Sequence, residues 1–230
     1  AREITGLNNP CDRRARLGKF QAAQLVASRK KAHTLRPPPG TWQRMNFLAR
    51  AAVIVGLAVA LAAGLANDAS ANDLLYALKV GVLAHDVPDL WSGFQVEHNA
   101  ADINIEAQFA AAWALPWGAI RPVIGGSINT RGDTSDGYID ARWQGDLPSG
   151  VFFGLGLGAA IHDGEIGGVN SDPDKKWLGS RVLFHIPIEI GYHLDQHSDV
   201  SVYFEHMSNA YTQKYNEGMD RIGLRYGYRF

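Results

Sequence analysis

The sequence predicts an all-β chain, an eight-stranded antiparallel up-and-down transmembrane β-barrel of the bacterial outer membrane, and three observations carry that prediction. The last ten residues alternate: Ile222, Leu224, Tyr226, Tyr228 and Phe230 share one face, while Arg221, Gly223, Arg225, Gly227 and Arg229 share the other, which is the period of a β-strand. Arginines suit a wet, narrow lumen, and outward aromatics near a chain end suit a membrane interface. The same two-sided signal recurs along residues 72–230, where no hydrophobic helix is written. Long and short connections alternate between the repeats, as in barrels that keep short turns in the periplasm and long loops outside.

Ahead of that part the composition changes. Residues 1–44 hold ten Lys/Arg against Glu3 and Asp12, whereas residues 72–230 hold eleven Lys/Arg against twenty Asp/Glu. The single cysteine, Cys11, lies in the basic segment, so no disulfide can form within 72–230. Residues 45–71 run from Met45 through a short basic start ending at Arg50 to an uncharged stretch from Ala51 to Leu65, then Ala69-Ser70-Ala71. This is the layout of a secretory signal peptide, with cleavage expected after Ala71; the apolar stretch is short of the ~20 residues a membrane helix needs. A basic segment ahead of an export signal would hinder export, so residues 1–44 are read as an upstream extension and not as a nucleic-acid-binding tail. Nucleic acid is therefore not an expected partner.

The eight strands follow in order. Leu74 to Leu83 sets Tyr76, Leu78, Val80 and Val82 against Lys79 and Gly81; Asp102 to Trp113 sets Ile103, Ile105, Ala107 and Phe109 against Asn104, Glu106 and Gln108. Gly118 to Thr130 is interrupted early by Pro122, and Gly137 to Gln144 sets Ile139, Ala141 and Trp143 against Asp140 and Arg142. Val151 to Ile161 puts Phe153, Leu155 and Leu157 outward and Gly154, Gly156 and Gly158 inward; Leu178 to Leu194 puts Val182, Phe184, Ile186, Ile188, Ile190 and Tyr192 on one face and Arg181, His185, Glu189 and His193 on the other. The strand through Asp199–Ser208 and the terminal strand complete an even number, which closes the sheet and leaves no edge in lipid. With the long loops outside, both ends are periplasmic.

Several groups resemble sites and are better explained by the barrel. Gly154-x-Gly156-x-Gly158 is not followed by a helix, so lumen crowding accounts for it better than a dinucleotide loop. The acidic loops at His162-Asp163-Gly164-Glu165 and Asp172-Pro173-Asp174 are read as solvated, and His185, Glu189 and His193 as a hydrogen-bonded polar interior, so no metal or cofactor is expected. Trp113, Trp117 and Trp143 fit an interfacial girdle.

Chemistry is expected on the outside. Val200, Val202 and Phe204 share their parity with His206 and Ser208, and Asp220 shares the parity of Ile222 to Phe230. A His, a Ser and an Asp thus leave the lipid-facing side of two adjacent strands near the outer rim, an odd place for polar groups unless the substrate is a lipid. Side chains at i and i+2 on one face lie ~6–7 Å apart at Cβ, so the imidazole can lean to the serine.

The segment Glu205-His-Met-Ser-Asn-Ala210, followed by Asn216-Glu217-Gly218-Met219-Asp220 and a strand ending in Phe230, resembles the PagL-type lipid A 3-O-deacylases, small barrels with a His-x-Ser motif and a later acidic residue. The resemblance implies Ser208 as nucleophile, His206 as general base, Asn209 at the position tied to the oxyanion hole and Asp220 as the orienting acid. The acid is Asp where the family has Glu, and Glu217 stands where a Pro is expected, so Glu217 remains the alternative acid. The implied activity is hydrolysis of the 3-O-linked acyl ester of lipid A, with lipopolysaccharide and outer-membrane lipids as partners and a homodimer left open. A non-enzymatic surface barrel and a phospholipase or lipid acyltransferase using the same serine are the rival readings.

Overall fold

A computed structural model describes residues 74–230; the expected extension 1–44 and signal peptide 45–71 lie outside the described residues. The strands are β1 (Leu75–Ala84), β2 (Ala101–Phe109), β3 (Trp113–Leu115), β4 (Gly118–Asn129), β5 (Asp136–Asp146), β6 (Val151–His162), β7 (Val182–His193), β8 (Ser198–Ser208) and β9 (Met219–Arg229). All pairings between them are antiparallel, β9 pairs with β1 and β2 with β4, so the sheet closes on itself with eight staves. Closure pairs every stave's backbone groups on both sides, the condition for crossing a lipid core with strands.

Two boundaries and one expected interruption differ from the sequence reading. The expected strand from Asp102 to Trp113 stops at Phe109, and Trp113–Leu115 forms a separate short hairpin with the start of β4. Pro122 interrupts nothing; it pairs with Ala141 inside β4. The strand expected from Leu178 begins only at Val182, because Leu178 is fully buried in the preceding loop, its N–H bonded to the Glu165 carbonyl. Alternation alone cannot tell such a tucked loop residue from the first residue of a strand.

The two faces of the staves separate as the period requires. Val80, Val82, Ile139, Leu155, Leu157, Val182, Phe184, Ile188, Ile190, Val202 and Leu224 are exposed on the outside. The lumen is not the wet passage that the arginines suggest; buried ion pairs fill it. Arg225 contacts Glu106 (3.0 Å) and Glu189 (2.8 Å), and Lys79 contacts Glu189 (2.9 Å). Arg221 is paired with Asp102, Asp136 and Glu205, and His185 lies between Asp140 (2.9 Å) and Glu205 (3.2 Å). A buried charge is tolerated only when paired and hydrogen-bonded. Gly154, Gly156 and Gly158 face this network: a Cβ at Gly156 would stand 2.7 Å from the Arg142 side chain. His185, Glu189 and His193 go to different partners, the last to Asp146 at 2.8 Å.

The long loops are knotted together above the lumen. Glu97 accepts hydrogen bonds from the Thr134 N–H (2.9 Å) and hydroxyl (2.7 Å) and from the Lys176 N–H (3.0 Å), and lies 2.8 Å from His85 Nε2. Asp86 accepts from Val96 and Glu97 N–H and pairs with the buried Lys176 ammonium at 2.9 Å. One carboxylate therefore ties three loops, 85–100, 130–135 and 163–181.

Candidate active site

The β8–β9 register decides which groups meet. His206 lies directly opposite Asp220, and both take the outward parity expected of them. His206 Nδ1 is 2.6 Å from Asp220 Oδ1, and His206 Nε2 is 3.1 Å from Ser208 Oγ. An ionised carboxylate only accepts, so it holds the proton on Nδ1 and leaves the Nε2 lone pair towards the serine hydroxyl. A hydroxyl, an imidazole and a carboxylate in this sequence can pass a proton from the oxygen to the ring while the carboxylate stabilises the cation formed.

The alternative acid sits elsewhere. Glu217 accepts a hydrogen bond from the Trp177 N–H at 2.7 Å and donates its own N–H to the Trp177 carbonyl at 3.3 Å, so it pins the β8–β9 loop to the β6–β7 loop. Asn209 also differs from the role the resemblance implies. Its side-chain amide donates to the Leu178 (2.8 Å) and Tyr215 (2.6 Å) carbonyls, and its N–H to Asn216 Oδ1 (2.8 Å). Its donors are spent on the shape of the loop. The next two residues, Ala210 and Tyr211, take φ of 52° and 62°, and the Thr212 N–H closes the turn on the Asn209 carbonyl at 3.0 Å, as in a type I′ turn. Their own N–H groups follow Ser208 by two and three residues.

His206 is outward but not bare to lipid; it is only 5% exposed. Trp91, from loop 85–100, stacks on the imidazole with ring centroids 4.5 Å apart and planes 11° apart. The Ser92 N–H donates to Asp220 Oδ2 at 2.5 Å, and the Val87 N–H to the Asp220 carbonyl at 2.9 Å. Sequence reading missed these residues: they lie in a loop without periodicity, and Ser92 is 128 positions from its partner.

On the outer face, small side chains leave an apolar groove of about 370 Å³ lined by Ile124, Gly137, Ile139, Ala159, Ile161 and Val182, among others. Cross-strand pairs run from Ser208 to Phe184 to Ala159 to Ile139. Ala159 is thus two strand spacings, ~10 Å, from the serine.

Residues 88–229, more than half of the chain, match the family model for lipid A 3-O-deacylase (PagL). The chain belongs to the PagL family. The crystal structure of the outer membrane enzyme PagL superposes with a TM-score of 0.51 at 16% identity, covering 67% of this chain and 99% of that one, which speaks for the shared fold. Neisserial surface protein A has a TM-score of 0.43 at 13% identity, covering 68% of this chain and 97% of that one. A comparison with curated sequences finds no match. The family match takes in β2 to β9 and most of the loop that carries Trp91 and Ser92.

Proposed function

We propose that this protein is a lipid A deacylase that hydrolyses the 3-O-linked acyl ester of lipid A in the outer leaflet, with Ser208 as nucleophile, His206 as base and Asp220 as the group that orients it. The observation that carries this reading is the continuous chain of contacts Ser208–His206–Asp220 on the outside of the barrel, where an ester reaches the serine from the membrane and not from the lumen. The family match supports lipid A as the substrate. The apolar lining of the groove supports an alkyl chain lying against β4 to β7.

Ser208 Oγ bonds to the ester carbonyl carbon as its proton passes to His206 Nε2. The oxyanion collapses, the sugar oxygen leaves with the proton from His206, and the acyl chain stays on Ser208. Water then attacks the acyl-enzyme with His206 again taking a proton, and the fatty acid departs as that proton returns to Ser208 Oγ. The backbone N–H groups of Ala210 and Tyr211 are the donors assigned to the oxyanion, since those of Asn209 are engaged. The long loops at the Ser208 end are assigned to the cell surface, by the rule for loop length.

Mass spectrometry of lipid A from cells expressing the chain tests the reading: loss of one acyl chain is expected, and none with Ser208→Ala. Unchanged lipid A alongside a new lysophospholipid would replace it with a phospholipase.

A further inference from the structure

We infer that Trp91 is a positioning residue of this site, a fourth member that acts through His206 from a loop far away in sequence. The inference rests on the triad reading given above and extends it to a residue outside the β8–β9 hairpin.

Three contacts dock loop 85–100 on the two residues behind the serine. The Val87 N–H fixes the backbone of Asp220, the Ser92 N–H fixes the carboxylate oxygen turned away from His206, and the indole of Trp91 lies flat on the imidazole. Asp220 is thereby bound at both oxygens and His206 on one ring face as well as at both nitrogens. The face matters because an imidazole held only at its nitrogens can still tip about the line joining them. A stacked indole blocks that motion, keeps water from that side of the Nδ1–carboxylate bond, and favours the imidazolium formed during acyl transfer.

The loop is built to hold this pose. Asp86, Asp89 and Gly93 take φ of 47°, 61° and 82°, and two non-glycine residues in the left-handed region persist only where the surroundings over-determine them. The surroundings here are Asp86 gripping Val96, Glu97 and Lys176, and Glu97 gripping Thr134 and Lys176. Trp91 is itself 57% exposed, so removing its ring opens no hole in the barrel. An indole serving only as an interfacial anchor has no need to lie parallel to the base.

The test uses a small water-soluble fluorophosphonate, which reports the reactivity of the serine without lipid binding: Ser208 Oγ bonds phosphorus, fluoride leaves, and His206 takes the proton. The full barrel is assayed in detergent as parent, Trp91→Ala, Trp91→Leu and Trp91→Phe, each shown to be heat-modifiable. Labelling of Ser208 should slow about tenfold in the Ala and Leu variants, part of the ~10²–10⁴-fold that a well-placed base supplies, and recover in the Phe variant. With lipid A as substrate the same variants should lose kcat and keep KM. Parent-like labelling of Trp91→Leu overturns the proposal alone, as does a Trp91→Phe variant as slow as Trp91→Ala. A parent chain whose Ser208 is not labelled overturns the nucleophile reading and this proposal with it.

Discussion

Asp220 and Glu217 are three residues apart, and their positions separate the two candidate acids. Asp220 is fixed by strand register opposite His206 and by the Ser92 N–H, whereas Glu217 holds the Trp177 backbone. A fixed carboxylate orients an imidazole better than one committed elsewhere. Asp220→Ala should therefore lower lipid A deacylation by ~10²-fold or more, the scale on which a mispositioned triad histidine costs activity. Glu217→Ala should loosen a loop and cost far less. Product formation at matched amounts of inserted protein checks the ranking, and the reverse ranking would exchange the two residues. This part of the site was legible in the sequence because period two assigns faces by counting: Ser208, His206 and Asp220 come out on one side without knowledge of any other strand. Trp91 and Ser92 were not legible, since loop residues obey no period. The spent donors of Asn209 were hidden for the same reason, their partners Leu178, Tyr215 and Asn216 all belonging to loops.

Among the elements, loop 85–100 depends most on ionisation. Burial opposes a charge on His85, but hydrogen bonds to Asp102 and Glu97 outweigh it and raise its pKa to about 9. Burial likewise opposes the charge on Glu97, and hydrogen bonds from His85 and Thr134 outweigh it and lower its pKa to about 2. A raised histidine stabilises the folded loop in full below its unfolded value of ~6.5 and loses that contribution as pH rises through about 9. The depressed carboxylate contributes in full above its unfolded value and loses it as pH falls through about 2. Chymotrypsin should thus cut within 85–100, at Leu90, Trp91 or Phe94, progressively faster as pH rises from ~6.5 through about 9, once the protease's own pH response is divided out. A flat corrected rate would mean that His85 does not hold the loop. The staves themselves were legible, and the misplaced starts and stops have local causes. Leu178 continues the apolar parity of β7 while buried in the loop before it, and the run after Phe109 holds no Gly, Pro, Asn or Asp to mark a break before Trp113 folds back on Ile120.

At the scale of the whole molecule, the barrel turns a soluble enzyme's arrangement inside out. Its charges pair within, around Arg221, Arg225, Glu106, Glu189 and Glu205, and the Ser208–His206–Asp220 contacts face out. Residue order couples the two layers: Arg221 follows Asp220 and Glu205 precedes His206, so the lumen network fixes the backbone that carries His206 and Asp220. Leaving one such buried charge unpaired costs ~3–5 kcal/mol, enough to hold β8 and β9 in a single register. As proposed, this outward serine takes an acyl chain from lipid A and gives it to water. Reaction of the purified barrel with lipid A in ¹⁸O-labelled water, read by mass spectrometry, tests it most directly. The expected result is lipid A lighter by one acyl chain, with one ¹⁸O in the carboxyl group of the freed fatty acid and none in the exposed sugar hydroxyl. Intact lipid A, or a chain found unlabelled on another lipid, would contradict it.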